Sequence, residues 1–215
     1  MMAALVLELQ KEALGKDVGL TDLLRKAYFV ARKLKVKELE EWVSHELNGY
    51  PSGTDLPPYR TISGTMKVWN PYHGWQTVMF ESSKTMDALS TRQCSQAASE
   101  IEHILQNSKD GGSATMDYSA EVAGQIMSSI GIDLRPSLHI PLSALHRILD
   151  SIKNLILNWS LKLEEDGILG DDVSFSDEEI RRAAQANYNI TNIYGNVVDS
   201  QLQQGTQSSR QKSRK

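Results

Sequence analysis

The chain has 215 residues, a net charge of −4 and a pI near 5.8, with 40% apolar and 23% charged residues. At that length about 70% of the unfolded surface is buried on folding, so a core forms without a disulfide or metal staple. The acidic balance excludes a bulk nucleic-acid binder by charge alone. The single Cys94 excludes an internal disulfide framework and any multi-cysteine zinc site.

The opening stretch meets Glu8 and Glu12 before a signal-peptide core could form, and no run of 18 apolar residues exists. The expected location is therefore the cytoplasm, with no membrane span. Leu5, Leu9 and Ala13 predict a first amphipathic helix ending near Gly15 and Gly19. Leu20, Leu23, Leu24, Ala27, Val30, Ala31 and Leu34 recur at three- and four-residue spacing and predict a second. Val36, Leu39, Val43 and Leu47 predict a third, stopped by Asn48-Gly49. The basic run from Arg25 to Lys37 reads as a solvated face, offset by Glu38, Glu40 and Glu41.

The pattern changes at Tyr50. Pro51, Gly53, Pro57 and Pro58 predict a linker, and Tyr59 to Asn70 alternates as a strand does. Asn70-Pro-Tyr-His-Gly74 is a turn and Trp75 to Phe80 a second strand, which together make a β-hairpin with a longer loop. A helix is expected from Met86 to Gln106, enclosing Cys94 as an inert buried thiol. Lys109 to Ser113 reads as a loop, 120–129 as a short helix, and Ser137 to Leu142 as an extended piece, since Pro136 and Pro141 exclude helix.

Ser143 reads as the N-cap of a long helix carrying Leu145, Ile148, Leu149, Ile152, Leu155, Ile156, Trp159 and Leu163 inward. Glu164, Glu165, Asp166 and Gly167 end it. Ser176-Asp-Glu-Glu179 is a capping box for a last helix through Ala186. After Asn187 the composition turns to Asn, Gln, Ser and Gly with isolated aliphatics and a basic tip. The expected architecture is α+β and mostly α: a helical domain over 1–186 with one β-hairpin, then a β-prone tail over 187–215.

The chemistry-bearing residues yield no catalytic constellation. The five histidines show no metal-ligand spacing, and no GxSxG, P-loop or GxGxxG is present, so no metal, cofactor or catalytic residue is assigned. The stretch from Trp69 and Asn70 through Tyr72 and His73 to Trp75 has two readings. It is a partner or ligand loop where aromatics, an imidazole and an amide converge, or a turn whose rings pack on neighbouring helices. The acidic groups at 164–166 and 171–172 read as solvated charge.

The tail also has two readings. Ile190, Ile193, Val197, Leu202 and Gln203 sit among residues too polar to bury a core alone. Stacked copies would ladder their amides and zip their aliphatics, making a homo-oligomer; a single copy would be a disordered soluble tail. The four terminal cations add only a salt-sensitive contact to nucleic acid.

Several stretches together resemble the AbiTii domain family, bacterial proteins associated with abortive infection and phage defence. They are Leu20-Thr-Asp-Leu-Leu-Arg-Lys-Ala27 with Ala31-Arg-Lys-Leu34, Glu41-Trp42 to Tyr50, Pro58-Tyr-Arg60, Asn70 to Trp75, and Trp159 to Gly170 with Phe175-Ser176. The resemblance spans most of residues 5 to 186 and implies an anti-phage role without naming a reaction. The tail is separately similar to bacterial amyloid-signalling motifs through Asn192-Ile-Tyr-Gly195, Asn196-Val197 and Gln201-Leu-Gln-Gln-Gly205, departing at Gln204. The expected function is a non-enzymatic defence component: the body meets an effector or phage-derived protein and the tail self-assembles. A toxic nuclease-like enzyme and a nucleotide or small-molecule sensor are the alternatives.

Overall fold

The computed structural model describes residues 4–15, 18–80, 82–108, 112–186 and 188. Eight α-helices and six strands lie among them, which makes the fold α+β with helix dominant. The chain divides into two compact units.

Of the described residues, the first unit comprises those within 4–52, 96–99 and 150–188. Its described helices are α1 (Leu5–Leu14), α2 (Leu20–Lys33), α3 (Lys37–Asn48), most of α7 (Leu142–Glu165) and α8 (Asp177–Gln185). The expected periodicities hold: Leu5, Val6, Leu9 and Ala13 of α1 are buried, as are Leu20, Leu23, Leu24, Ala27, Val30 and Ala31 of α2. Ile152, Leu155, Ile156, Trp159 and Leu163 of α7 complete the core. The Gln10 amide donates to the Ser160 carbonyl at 3.1 Å and to Glu164 at 2.9 Å, fastening α1 to α7. The α7 helix ends at Gly167 (φ 70°), where the Ile168 amide reaches back to the Leu163 carbonyl at 2.8 Å.

The capping box of α8 is present, and its Glu179 does more than cap. Its carboxylate accepts the amides of Leu169, Gly170 and Ser176 and the Ser176 hydroxyl, all within 3.0 Å. Burial alone would raise its pKa; the amides of Gly170, Ser176 and Leu169 and the Ser176 hydroxyl outweigh that and hold it below the ordinary value. Tyr188, beyond the expected domain edge at 186, is buried and donates to Asp166 at 2.8 Å.

The second unit comprises Gly53–Ser95 and Glu100–Leu149. A 3₁₀ turn over Pro58–Arg60 leads into β1 (Thr61–Ser63) and β2 (Thr65–Asn70), followed by β3 (Gly74–Thr77). The expected single strand over 59–70 is thus split at Gly64, whose amide donates to the Ser90 carbonyl at 2.9 Å. The expected helix over 86–106 is also interrupted: α4 (Ser83–Ser90) gives way to β4 (Thr91–Gln93), and α5 (Ala98–Asn107) follows. Thr91, Cys94 and Ser95 are weaker helix formers than Arg92 and Gln93 beside them, and β4 pairs antiparallel with β1 in the register Ile62↔Arg92. Cys94 is therefore buried beside β4 rather than in a helix, its amide donating to the Arg60 carbonyl at 2.8 Å.

The hairpin expected from the sequence is part of a larger sheet. β5 (Ser113–Asp117), of which the sequence reading covered only Ser113, as the end of a loop, and β6 (Pro136–Pro141) join it, with α6 (Ala120–Ile130) between them. The order is β3-β2-β6-β5, with every neighbouring pair antiparallel. Ser143 lies one residue inside α7 rather than at its cap.

Candidate functional site

Alternation assigns the two faces of the four-stranded sheet. Met66 and Val68 of β2 pair with Leu138 and Pro136 of β6, and these four are buried. The other face carries Thr65, Lys67 and Trp69 of β2, Trp75 and Thr77 of β3, Ser137 and His139 of β6, and Thr115 of β5.

Trp69 and Trp75 are directly cross-strand neighbours, with ring centroids 5.3 Å apart at 66°. Trp75 also meets the His139 ring edge-on at 4.5 Å and 70°. Such edge-to-face pairs contribute about 0.5–1.5 kcal/mol beyond area burial. Despite these contacts Trp69 is 47% and Trp75 40% exposed, so the pair forms a half-open aromatic ledge. His139, beneath it, is only 8% exposed. Its Nδ1 lies 3.3 Å from Ser113 Oγ, and its Nε2 is buried with no hydrogen-bond partner.

Burial, and next to it the charge of Lys67, lower the His139 pKa from its ordinary 6.5. The imidazole is therefore neutral at pH 7. An unfolded chain takes up that proton more readily than the folded one, so stability is complete above pH 6.5. It falls as the pH drops below that value toward the folded-state pKa. Urea midpoints between pH 7.5 and 5 are expected to decline by more in the native chain than in His139→Gln.

The loop joining β2 to β3 is fastened by Asn70. Its Oδ1 accepts the amides of Tyr72 at 2.9 Å and His73 at 3.2 Å. Gly74 closes the loop at φ 72°, and the Gln76 side chain donates to the His73 carbonyl at 3.1 Å. Tyr72 is 91% exposed and His73 is exposed at the tip. Of the five residues singled out in the body, the structure thus brings Trp69 and Trp75 together and gives Asn70 a turn-making role. Tyr72 and His73 stand apart at the tip.

His139 and Lys67 complete the face and were not singled out from sequence. The signal for His139 lies in Ser137-Leu-His-Ile-Pro141, where it alternates with the inward Leu138 and Ile140. The tail residues Ile190, Ile193, Val197, Leu202 and Gln203 lie outside the described residues.

The acidic cluster at the end of α7 is engaged within its own unit. Glu164 accepts from Gln10, Glu165 from Lys162 at 3.3 Å, and Asp166 from Tyr188. Among the described residues no group of three His, Cys, Asp or Glu could hold a metal ion, and no helix is long and apolar enough to cross a membrane.

The AbiTii family model matches residues 4–188. No curated protein and no solved structure matches the chain.

Proposed function

The chain belongs to the AbiTii family, which is associated with abortive infection and phage defence, and on that premise we propose that it is a non-enzymatic defence component acting by recognition and assembly. Its second unit binds a partner or trigger through the ledge of Trp69 and Trp75, and its tail over 187–215 mediates self-association.

One observation carries the recognition half. Two contacting tryptophans stay 47% and 40% exposed on a sheet face that they share with Thr65, Lys67, Thr77 and Thr115. A monomer gains nothing by leaving such rings open to water, whereas aromatic anchors of this kind dominate binding energies when a partner covers them. In a phage-challenge assay, cells expressing Trp69→Ala are expected to lose protection although the variant keeps its fold. Full protection by a folded Trp69→Ala chain rejects the reading.

The assembly half rests on composition: Ile190, Ile193, Val197, Leu202 and Gln203 are spaced among Asn, Gln, Ser and Gly without proline. Light scattering of residues 1–215 and of 1–188 tests it. The full chain is expected to have the larger mass, and equal subunit numbers for the two reject tail-driven assembly.

The same ledge supports a second reading, a nucleotide or small-molecule sensor, because a planar base stacks on an exposed indole. A ligand that binds only the folded state raises the melting temperature. A shift with a cyclic-nucleotide panel, lost in Trp69→Ala, would favour this reading over a protein trigger.

A further inference from the structure

The α2–α3 pair of the first unit holds a groove of about 420 Å³ lined by Arg25, Tyr28, Phe29, Arg32, Lys33 and Leu47. Its walls are aromatic and aliphatic, and its rim is cationic. Arg25 pairs with Asp22 at 3.0 Å, and Arg32 with Glu40, which also accepts from Tyr28 at 3.3 Å. Lys33 lies over the Phe29 ring, with Nζ 5.3 Å from the centroid. The arginines are largely exposed, at 70% and 66% for their side chains. Each has donors left for a second carboxylate.

The same unit carries a projection of the opposite character. Between α7 and α8 the chain makes a tight turn closed by two backbone bonds, Asp171 amide to Ser174 carbonyl at 2.9 Å and Ser174 amide to Asp171 carbonyl at 3.0 Å. The Ser174 hydroxyl adds a third, to the Asp171 carbonyl at 3.1 Å. Asp172 takes a positive φ of 54° at the tip, a conformation aspartate tolerates better than most residues. Beside it Val173 is 56% exposed. The turn therefore presents one aliphatic side chain flanked by two carboxylates on a backbone that is already ordered.

From this complementarity we infer that the groove receives the Asp171–Ser174 turn of a second copy of the chain. Val173 enters between Phe29 and Leu47, and the Asp171 and Asp172 carboxylates meet Arg25, Arg32 and Lys33. Groove and turn are built from different elements, so the contact is heterologous: every copy offers one groove and one turn. Such a contact propagates into a ring or an open chain rather than stopping at a symmetric dimer. A single aliphatic knob with a charged collar makes a small interface, so association is concentration-dependent and weakens with salt. This contact between folded units is separate from assembly through the tail.

Charge reversal in the full chain tests it. One variant carries Asp171→Lys and Asp172→Lys. The other carries Arg25→Glu and Lys33→Glu, which leaves the Arg32–Glu40 pair untouched. Unchanged circular dichroism and melting temperature establish that both fold. By sedimentation velocity each variant alone is expected to lose the larger species, and an equimolar mixture to regain it, because only unlike copies then match. Val173→Ser is expected to weaken association about tenfold, as the loss of nearly two buried methylene equivalents implies.

A wild-type chain that is monomeric at every concentration overturns the proposal. So does retention of wild-type mass by either reversed variant, which would leave tail-driven assembly standing alone. A mixture that stays dissociated overturns it as well.

Discussion

Alanine at Gly64 is expected to destabilise the second unit by about 3 kcal/mol, the upper end of what overpacking usually costs. Gly64 joins β1 to β2 where β2 lies against β6. A methyl group there would stand 2.6 Å from the His139 carbonyl oxygen and 3.0 Å from its carbon, with the Leu138 side chain at 3.1 Å. The nearest obstacles are backbone atoms of an inner strand, which have no rotamer to change. Relief requires β2 and β6 to separate, at the cost of the ladder that pairs Thr65 with His139 and Met66 with Leu138. Glycine is the residue that permits so close an approach of two backbones. Urea unfolding of Gly64→Ala, followed by circular dichroism, checks the value. An unchanged midpoint would mean that β2 and β6 are not held this close in solution.

Trp75→Ala is expected to abolish phage protection and to weaken trigger binding at least a hundredfold, the scale of a central aromatic anchor. Its effect on stability is about 1–3 kcal/mol from the two edge-to-face ring contacts, with the loss of the ring's buried area added to it. The substitution also uncovers His139. Its pKa, held low by burial and then by Lys67, should climb back toward 6.5, which an NMR titration of the ring protons measures directly. Trp75→Phe should retain part of the binding and most of the His139 depression. Tyr72→Ala removes an aromatic ring from the loop tip, away from the tryptophan contacts, and is expected to bind nearly as well as wild type. Equal losses for Tyr72→Ala and Trp75→Ala would move the recognition surface from the sheet to the loop.

Helices with an unbroken apolar stripe and a recognisable stop were readable residue by residue. The Leu20–Leu34 stripe, the run from Leu145 to Leu163 and the Ser176–Glu179 box are local patterns, and local hydrogen bonding realises them. The sheet was harder to read because its order is set by partners far apart in sequence. β5 is only Ser-Ala-Thr-Met-Asp, without the β-branched density that marks a strand, and it exists because β6 offers it an edge. The break between α4 and α5 has the same origin, since pairing of β4 with β1 overrides the helical spacing of Met86 to Ile104. Trp69 and Trp75 stood out because tryptophan flanking a turn is conspicuous. His139 did not, because its meeting with Trp75 depends on the β2–β6 register.

The four tryptophans fall into two optical classes, one for each unit. Trp42 and Trp159 are buried in the first unit, and Trp159 is fully enclosed with no partner for its indole N–H. Trp69 and Trp75 stand half in water in the second. Intrinsic emission therefore divides into a blue component silent to aqueous quenchers and a red component open to them. Iodide should extinguish the red component alone, and ligand contact at the ledge should shield it. Exposure of Trp42 and Trp159 on unfolding should move the blue component to the red. An unlabelled chain thus reports ligand occupancy at the ledge and burial of the first unit's core in one cuvette.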